Sequence, residues 1–311
     1  MKYHFIVNSK ASSGKGRKIW KQVHRILEEE NADYLAYFPK SKRETVALVR
    51  KLTSQGDCHL VVVGGDGTLN LVLQGIRSFE HTRLSCIRAG SGNDFAKNMN
   101  LEKDLQKSLS HLLHHPEERI LDYGVETLFP ADDDHKEPLK RRFLISSGVG
   151  YDADICYEAS KSRLKTALNH LNLGKAVYFL IGMKLIFTKK CSKAVLKVDD
   201  QNPQLIPELF FLTGMIHPCE GGGFAFCPDA SCTDGMLDLC LVESMSKSKL
   251  MLAVCLVFFR RHNLLKKIHG FQCRKMTLIL DNPQCFHHDG DTPFWIRRVD
   301  MECKKGLRFV E

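Results

Sequence analysis

The sequence is short of the features that staple a chain or carry it through a membrane. Its twelve cysteines are scattered through 311 residues without one C-x-x-C pair. The nearest pair, Cys227 and Cys232, has four intervening residues and no His or Cys pair nearby to complete a zinc site. A chain of this length buries a large core without cross-links, so a disulfide miniprotein is excluded and a reduced, cytoplasmic chain is expected. The longest apolar run, Leu250 to Phe259, is ten residues and is closed by Arg260 and Arg261. A bilayer span takes about 20, and the opening MKYHFIVNSK is too short for a secretory signal. Acidic residues are also in deficit, 36 against 45 Lys+Arg, a formal +9. That favours an anionic partner: a membrane surface, a nucleotide or nucleic acid. Internal repeats and low-complexity tracts are absent. The 43% apolar, 26% charged composition removes collagen and disorder.

What is present alternates. Tyr3–Asn8 is a short apolar run leading into the Ser/Gly/Lys stretch SKASSGKGRK, expected to be a loop. Ile19, Val23, Ile26 and Leu27 then recur at helical spacing. Tyr34–Phe38, His59–Val63 and Leu84–Ile87 read as strands, Glu44–Leu52 and Leu69–Ile76 as helices. Strand and helix alternating at this pitch predict a doubly wound α/β domain with a parallel sheet, ending near residue 124. Beyond it Phe143–Val149, Ala194–Val198, Leu209–Met215, Met236–Val242, Lys275–Leu280 and Phe294–Ile296 are short β candidates. Helical patterns cover about Asp154–Lys189, broken near Gly174, and Lys247–Lys267. Pro130–Arg142 reads as a charged hairpin tip or insertion. The second half is expected to be an all-β sandwich or barrel with helical insertions.

Two loops carry the chemistry. In VVVGGDGTLN, three valines end a buried strand, and Gly64, Gly65 and Gly67 let a ligand approach the backbone. Thr68, Leu69 and Asn70 open a helix whose N–H groups favour anions. Asp66 would be repelled by phosphate unless a cation stands between them, so the loop argues for nucleotide plus Mg²⁺. A tight turn with an Asp cap is the plainer alternative. The loop is neither a Walker A sequence nor G-x-G-x-x-G. The second loop, RAGSGNDFA, offers Gly90, Gly92, Ser91, Asn93 and Asp94 after the next strand. Two such loops after adjacent parallel strands would line one carboxyl edge, where open α/β sheets bind ligands.

GGDGTLN, the Gly-Ser-Gly-Asn-Asp loop and the opening Asn8…Gly14 together resemble the diacylglycerol kinase catalytic-domain family, in particular its soluble bacterial lipid kinases, with sphingosine and ceramide kinases more distant. The likeness continues through Leu121-Asp-Tyr-Gly124, Gly148-Val-Gly-Tyr-Asp-Ala153, the Gly221…Asp238 stretch and His288-Asp-Gly-Asp291, in family order. The resemblance implies an α/β nucleotide domain over 1–124, a C-terminal β-sandwich lipid domain over 125–297, a last segment, 298–311, returning to the first, and an active site in the cleft between the domains. It implies ATP and Mg²⁺ as cofactors. Asn8, Ser12, Gly14, Gly64, Gly65, Asp66, Gly67, Thr68, Leu69, Asn70, Ser91 and Asn93 correspond to nucleotide-contacting positions. Asp66, Asp94 and Asp122 correspond to a water-bridged Mg²⁺ network. Ser231, Asp234 and Met236 correspond to a second, structural Mg²⁺ site, and hard oxygen ligands in an Asp-Gly turn suit that ion. A plain hairpin turn fits Asp234-Gly235 equally.

The family usually closes with Asp-Gly-Glu, the Glu taking the proton from the lipid hydroxyl. Here the triplet is Asp289-Gly290-Asp291, so Asp291 is the expected catalytic base with one methylene less reach, and Asp66 its catalytic companion. The usual Asn-Pro at the opening is Asn8-Ser9. Lys10, Lys15, Arg17 and Lys18 either meet phosphate or form a solvated basic loop. His114-His115 reads as a helix end, and His287-His288 as supporting or surface residues. Arg260–Lys267 either touches anionic head groups or complements a helix C-terminus; Lys161, Arg163 and Lys165 leave the same choice. The expected activity is an ATP- and Mg²⁺-dependent lipid kinase acting on a lipid alcohol, diacylglycerol first. The expected partners are that lipid at a membrane surface, through transient peripheral contact with the inner face, and a second copy of the chain as a homodimer, with no nucleic acid. A small-molecule kinase of the NAD-kinase type and a non-catalytic nucleotide- or lipid-binding regulator stand as alternatives.

Overall fold

A computed structural model describes residues 2–131, 137–161, 174–292 and 295–311. Arg163, Lys165, Phe294 and the centre of the charged 130–142 stretch lie outside them. The chain divides into two units, Met1–Asp122 with Lys305–Glu311, and Tyr123–Lys304. The expected divisions were 124 and 298. The second differs because one strand, Trp295–Val310, runs through it, and its residues up to Glu302 still pair inside the second unit.

In unit 1, β1 (Tyr3–Val7), α1 (Ala11–Glu29), β2 (Tyr34–Tyr37), α2 (Lys42–Leu52), β3 (Cys58–Gly64), α3 (Asp66–Gly75) and β4 (Thr82–Arg88) alternate as predicted. The strands lie in the order β4-β3-β1-β2, all parallel, and β3 is buried along its whole length. Such a strand, covered on both faces, reads as a continuous apolar run. Phe5, Val7, Val61 and Val63 meet Val23, Ile26 and Leu27 of α1 in the core. Ser41 caps α2 by accepting the Glu44 N–H at 3.1 Å. Helix α1 begins earlier than expected. The SKASSGKGRK stretch is mostly its first turns, entered through Ala11 N–H to Asn8 C=O at 3.1 Å. Two short helices follow, α4 (Asp94–Asn98) and α5 (Leu105–His114), the second ending at the expected His114-His115 helix end.

Unit 2 is built on an antiparallel β-sandwich. Strands β5 (Glu118–Pro130), β6 (Leu139–Phe143), β7 (Ser146–Gly150), β8 (Ser192–Val198), β9 (Gln204–Met215), β10 (Leu237–Glu243), β11 (Ile268–Cys273), β12 (Lys275–His288) and β13 (Trp295–Val310) form it, β5 and β13 also running into unit 1. The order β11-β10-β9-β7-β12-β13 is completed by β8 across β9 and β12 and by the β5–β6 hairpin. Leu196, Leu212, Leu239, Leu278 and Phe286 are among its fully packed side chains. Helices α6 (Tyr151–Lys161), α7 (Gly174–Thr188) and α8 (Lys247–Phe258) pack with Phe210, Phe211 and Val242 in a second cluster. Two expectations needed correction. The single strand Phe143–Val149 is two strands, because the Leu144 and Ile145 N–H groups turn away to a carboxylate described below. The Lys247–Lys267 helix stops at Phe258, where Arg260 takes a left-handed φ of 57°. Arg261 N–H then closes back onto Leu256 C=O at 2.9 Å. Among the described residues no helix is long and apolar enough to cross a membrane.

Candidate active site

Three loops meet at the carboxyl ends of β1, β3 and β4. A Cβ on Gly65 would stand 2.7 Å from the Gly90 Cα, and one on Gly90 would stand 2.5 Å from the Gly65 Cα. Backbone therefore lies on backbone, which only glycine at both positions permits. Asp66 fastens the contact. Its carboxylate oxygens accept the N–H of Asp94 at 3.0 Å and of Phe95 at 3.1 Å, capping α4 from another loop. Asn8 donates its side-chain N–H to the Thr68 hydroxyl at 2.9 Å, and the Ser12 and Ser91 hydroxyls stand 3.0 Å apart. Sequence reading named each of these residues, and here they form one edge.

Their duties are unequal. Asn93, in the left-handed region at φ 51°, accepts the Gly90 N–H at 2.9 Å and donates to the Gly90 carbonyl at 2.8 Å. Its amide is spent on the loop itself. Leu69 is core, and Asn70 is buried and accepts from Gln74 at 3.1 Å. Gly64 ends β3, Gly67 is exposed in the first turn of α3, and Gly14 lies in the irregular start of α1. Asp94 pairs with Lys97 at 2.9 Å. Asp122 is the third acid that the sequence reading put with the metal. It is fully buried on β5. The end of β13 runs parallel to β4, and Glu117, just before β5, exchanges both backbone hydrogen bonds with Glu311. β5 leaves that pair alongside β13 and carries Asp122 five residues on. Two cavities of unit 1, about 370 and 520 Å³, are lined by none of the loop residues.

In unit 2 the register of β12 shifts between Ile279 and Gln284 around Pro283, a residue that interrupts a ladder. The strand then pairs with β7, His287 opposite Gly148 and His288 opposite Ser147, and ends in a turn. Asp289 (φ 45°) and Gly290 (φ 81°) both take positive φ, a tight type I′ reversal closed by His288 and Asp291 exchanging backbone hydrogen bonds at 3.0 and 2.9 Å. The Asp289 carboxylate accepts three backbone N–H groups, from Leu144 at 2.8 Å, Ile145 at 2.8 Å and Ser146 at 3.1 Å. Asp291, two residues on, is exposed. The two histidines point to opposite faces of the sheet. His288 pairs with fully buried Glu126 at 3.1 Å, and His287 with buried Asp152 at 3.0 Å. Burial alone would push His287 down, but Asp152 first, with Glu220 and Asp289, carries it up to about 9. Asp152, Glu220 and His287 place three ligand-type atoms within 4.8 Å of one another. Within that cluster the imidazole already has Asp152 as its partner.

Two family models cover most of the chain. Residues 2–123 match the diacylglycerol kinase catalytic domain, and residues 146–294 match the YegS C-terminal NAD kinase beta sandwich-like domain. The chain belongs to the diacylglycerol kinase catalytic-domain family. Among relatives of this family, YtlR of Bacillus subtilis (strain 168), designated a lipid kinase, is 25% identical over 300 residues, 94% of this chain and 95% of that one. A diacylglycerol kinase of Staphylococcus saprophyticus is 23% identical over 266 residues, 85% of this chain and 80% of that one. A crystal structure assigned to a diacylglycerol kinase of Bacillus anthracis str. Sterne has the same fold. Its TM-score is 0.75 at 18% identity, over 99% of this chain and 96% of that one.

The donors suit the nucleotide and Mg²⁺ that the family implies. Asp66 and Asp94 both border Gly92, whose Cβ would come within 3.1 and 3.5 Å of their oxygens. Each Asp66 oxygen accepts one of these backbone N–H groups. Two carboxylates beside the N-terminus of α3, which itself favours phosphate, leave a charge conflict that a hard cation resolves. At the other expected site, Asp234 is exposed and accepts the Met236 N–H at 3.0 Å, while the Ser231 and Thr233 hydroxyls stand 3.2 Å apart. Asp238 nearby is pushed up to about 6, chiefly by burial and further by Asp234 and Asp229. An oxygen-rich turn with crowded acids also fits Mg²⁺, and it does so with one carboxylate serving as its own turn brace.

Proposed function

We propose that the protein is an ATP- and Mg²⁺-dependent lipid kinase that phosphorylates the hydroxyl of a lipid alcohol, diacylglycerol first, giving phosphatidic acid. Family membership supports a kinase of lipids. The observation that carries the finer reading is the interlocked loop edge of unit 1, where glycine backbone, a helix N-terminus and two carboxylates converge. Phosphoryl transfer asks little covalent help of a protein, so holding and neutralising phosphate dominate. Mg²⁺–ATP, when bound, supplies the transferable phosphoryl group. Asn8, Ser12, Ser91 and the backbone of Gly65–Thr68 hold its phosphates, and Asp66 and Asp94 hold the metal. In unit 2, Asp291 accepts the proton of the lipid hydroxyl. Asp289 spends its carboxylate on three N–H groups, which leaves Asp291 as the exposed acid of the turn.

Incubation with labelled ATP and a total lipid extract, followed by identification of the labelled species, tests the reading. A labelled lipid alcohol, dependent on Mg²⁺, is the expected product. A labelled water-soluble product would favour the small-molecule kinase. A protein that binds ATP yet labels nothing, and gains activity only as Asp291→Glu, would be the non-catalytic regulator.

A further inference from the structure

From Leu250 onward helix α8 is apolar on every side. Leu250 and Ala253 face the core of unit 2 with Phe210, Phe211 and Val242, and Val257 is buried as well. The opposite face is uncovered: Met251 is 40% exposed, Leu252 49% and Phe258 53%, and beyond the helix end Phe259 is 73% and Leu264 70% exposed. Single exposed leucines need no explanation, but a contiguous apolar patch with a polar rim marks an interaction surface. Nor is this a loose end. Arg260 turns the chain in the left-handed region, and Leu264 N–H returns to Arg261 C=O. Buried His262 stands 2.9 Å from the Phe226 carbonyl, and the Phe258 ring packs on Phe224 at 4.6 Å. The fold therefore holds Phe259 and Leu264 outward.

The rim has one sign. From Ser244 to Lys267 there are six basic residues, Lys247, Lys249, Arg260, Arg261, Lys266 and Lys267, and no Asp or Glu. All six are exposed, although Lys267 also donates to the Ser244 carbonyl at 2.8 Å. Apolar side chains flanked by exposed cations match a bilayer with anionic head groups, the rings entering the acyl boundary and the cations meeting phosphate. A second copy of the chain fits worse. A two-fold contact sets a patch against itself, and this one would set cations against cations.

We propose that the α8 face and the Phe259–Leu264 turn dock the protein on anionic lipid bilayers. The proposal deepens the lipid-alcohol reading and rests on it for its purpose. The vesicle sedimentation that decides it contains no nucleotide, so the two fail separately. Wild-type protein is sedimented with vesicles of phosphatidylcholine alone and with equal parts phosphatidylcholine and phosphatidylglycerol. Phe259→Ser/Leu264→Ser and Arg260→Glu/Arg261→Glu variants follow, with circular dichroism as the folding control. Binding should require phosphatidylglycerol and weaken with salt. Removal of each positive charge should cost about fivefold, and the apolar pair should cost at least about tenfold. Both variants should keep wild-type phosphorylation of a short-chain, water-dispersed lipid alcohol. Variants that pellet like wild type would overturn the proposal, as would a wild-type dimer in sedimentation velocity that the same substitutions dissolve. Vesicle binding through this face by a protein that phosphorylates no lipid would uphold the docking surface and sink the kinase reading alone.

Discussion

The loop edge of unit 1 and the acidic turn of unit 2 divide their labour differently. In unit 1 the residues with chemistry also hold the structure: Asp66 caps α4, Asn8 fastens Thr68, and Asn93 binds both polar groups of Gly90. In unit 2 two aspartates share one turn and differ, Asp289 bracing three N–H groups and Asp291 exposed. Stability and activity should therefore fall together in unit 1 and come apart in unit 2.

The largest effect should come from Asp66→Ala. Turnover should fall by about 10³-fold or more, with a further loss of about 1–2 kcal/mol of stability from the missing cap. Labelled-lipid assay and urea midpoint together read this, and unchanged stability would deny Asp66 its second duty. Asp289→Ala should come next, at roughly 4 kcal/mol of stability for three charge-assisted hydrogen bonds, with activity lost only as the fold is lost. The His287–Asp152 pair gives a pH test. A folded-state value raised to about 9 means stability that is complete below His287's ordinary value and lost as pH rises through about 9. The amount is on the order of 3 kcal/mol. Asp152→Asn should abolish that alkaline loss, and an unfolding midpoint that keeps its slope in the variant would place the proton elsewhere. Asn93→Ala should have the smallest effect, about 1 kcal/mol, with a proportionate drop in activity because the Gly65–Gly90 contact loosens.

The sequence was most legible where local pattern and long-range contact agree. The three-valine strand, the glycines and the helix start of GGDGTLN are contiguous, and β3 and β4 are adjacent, so the edge could be read directly. The second role of Asp66 could not, because its partners are 28 and 29 residues away and α4 is only five residues long. Asp122 sits on a strand that pairs with one from the far C-terminus, a neighbour that no local pattern shows. Long β5, and β13 beyond Ile296, were missed because buried positions recur among charges, as in RRVDMECKKGLRF, and part of each is half-covered. The helix after Lys247 was overrun since nothing local in FFRRHNLL marks the left-handed turn at Arg260. His287 and His288 were set aside as supporting residues, and only the fold supplies the buried carboxylates they answer.

The central claim is that the turn ending β12 leaves one carboxylate for chemistry. It is tested most directly by Asp291→Asn, measured at once for labelled-lipid formation, nucleotide binding and unfolding midpoint. Lipid phosphorylation should fall by about 10²–10⁴-fold, while nucleotide affinity and the midpoint stay at wild type, the side chain being exposed. An Asp291→Asn protein with full lipid phosphorylation would contradict the account and move the base to another residue.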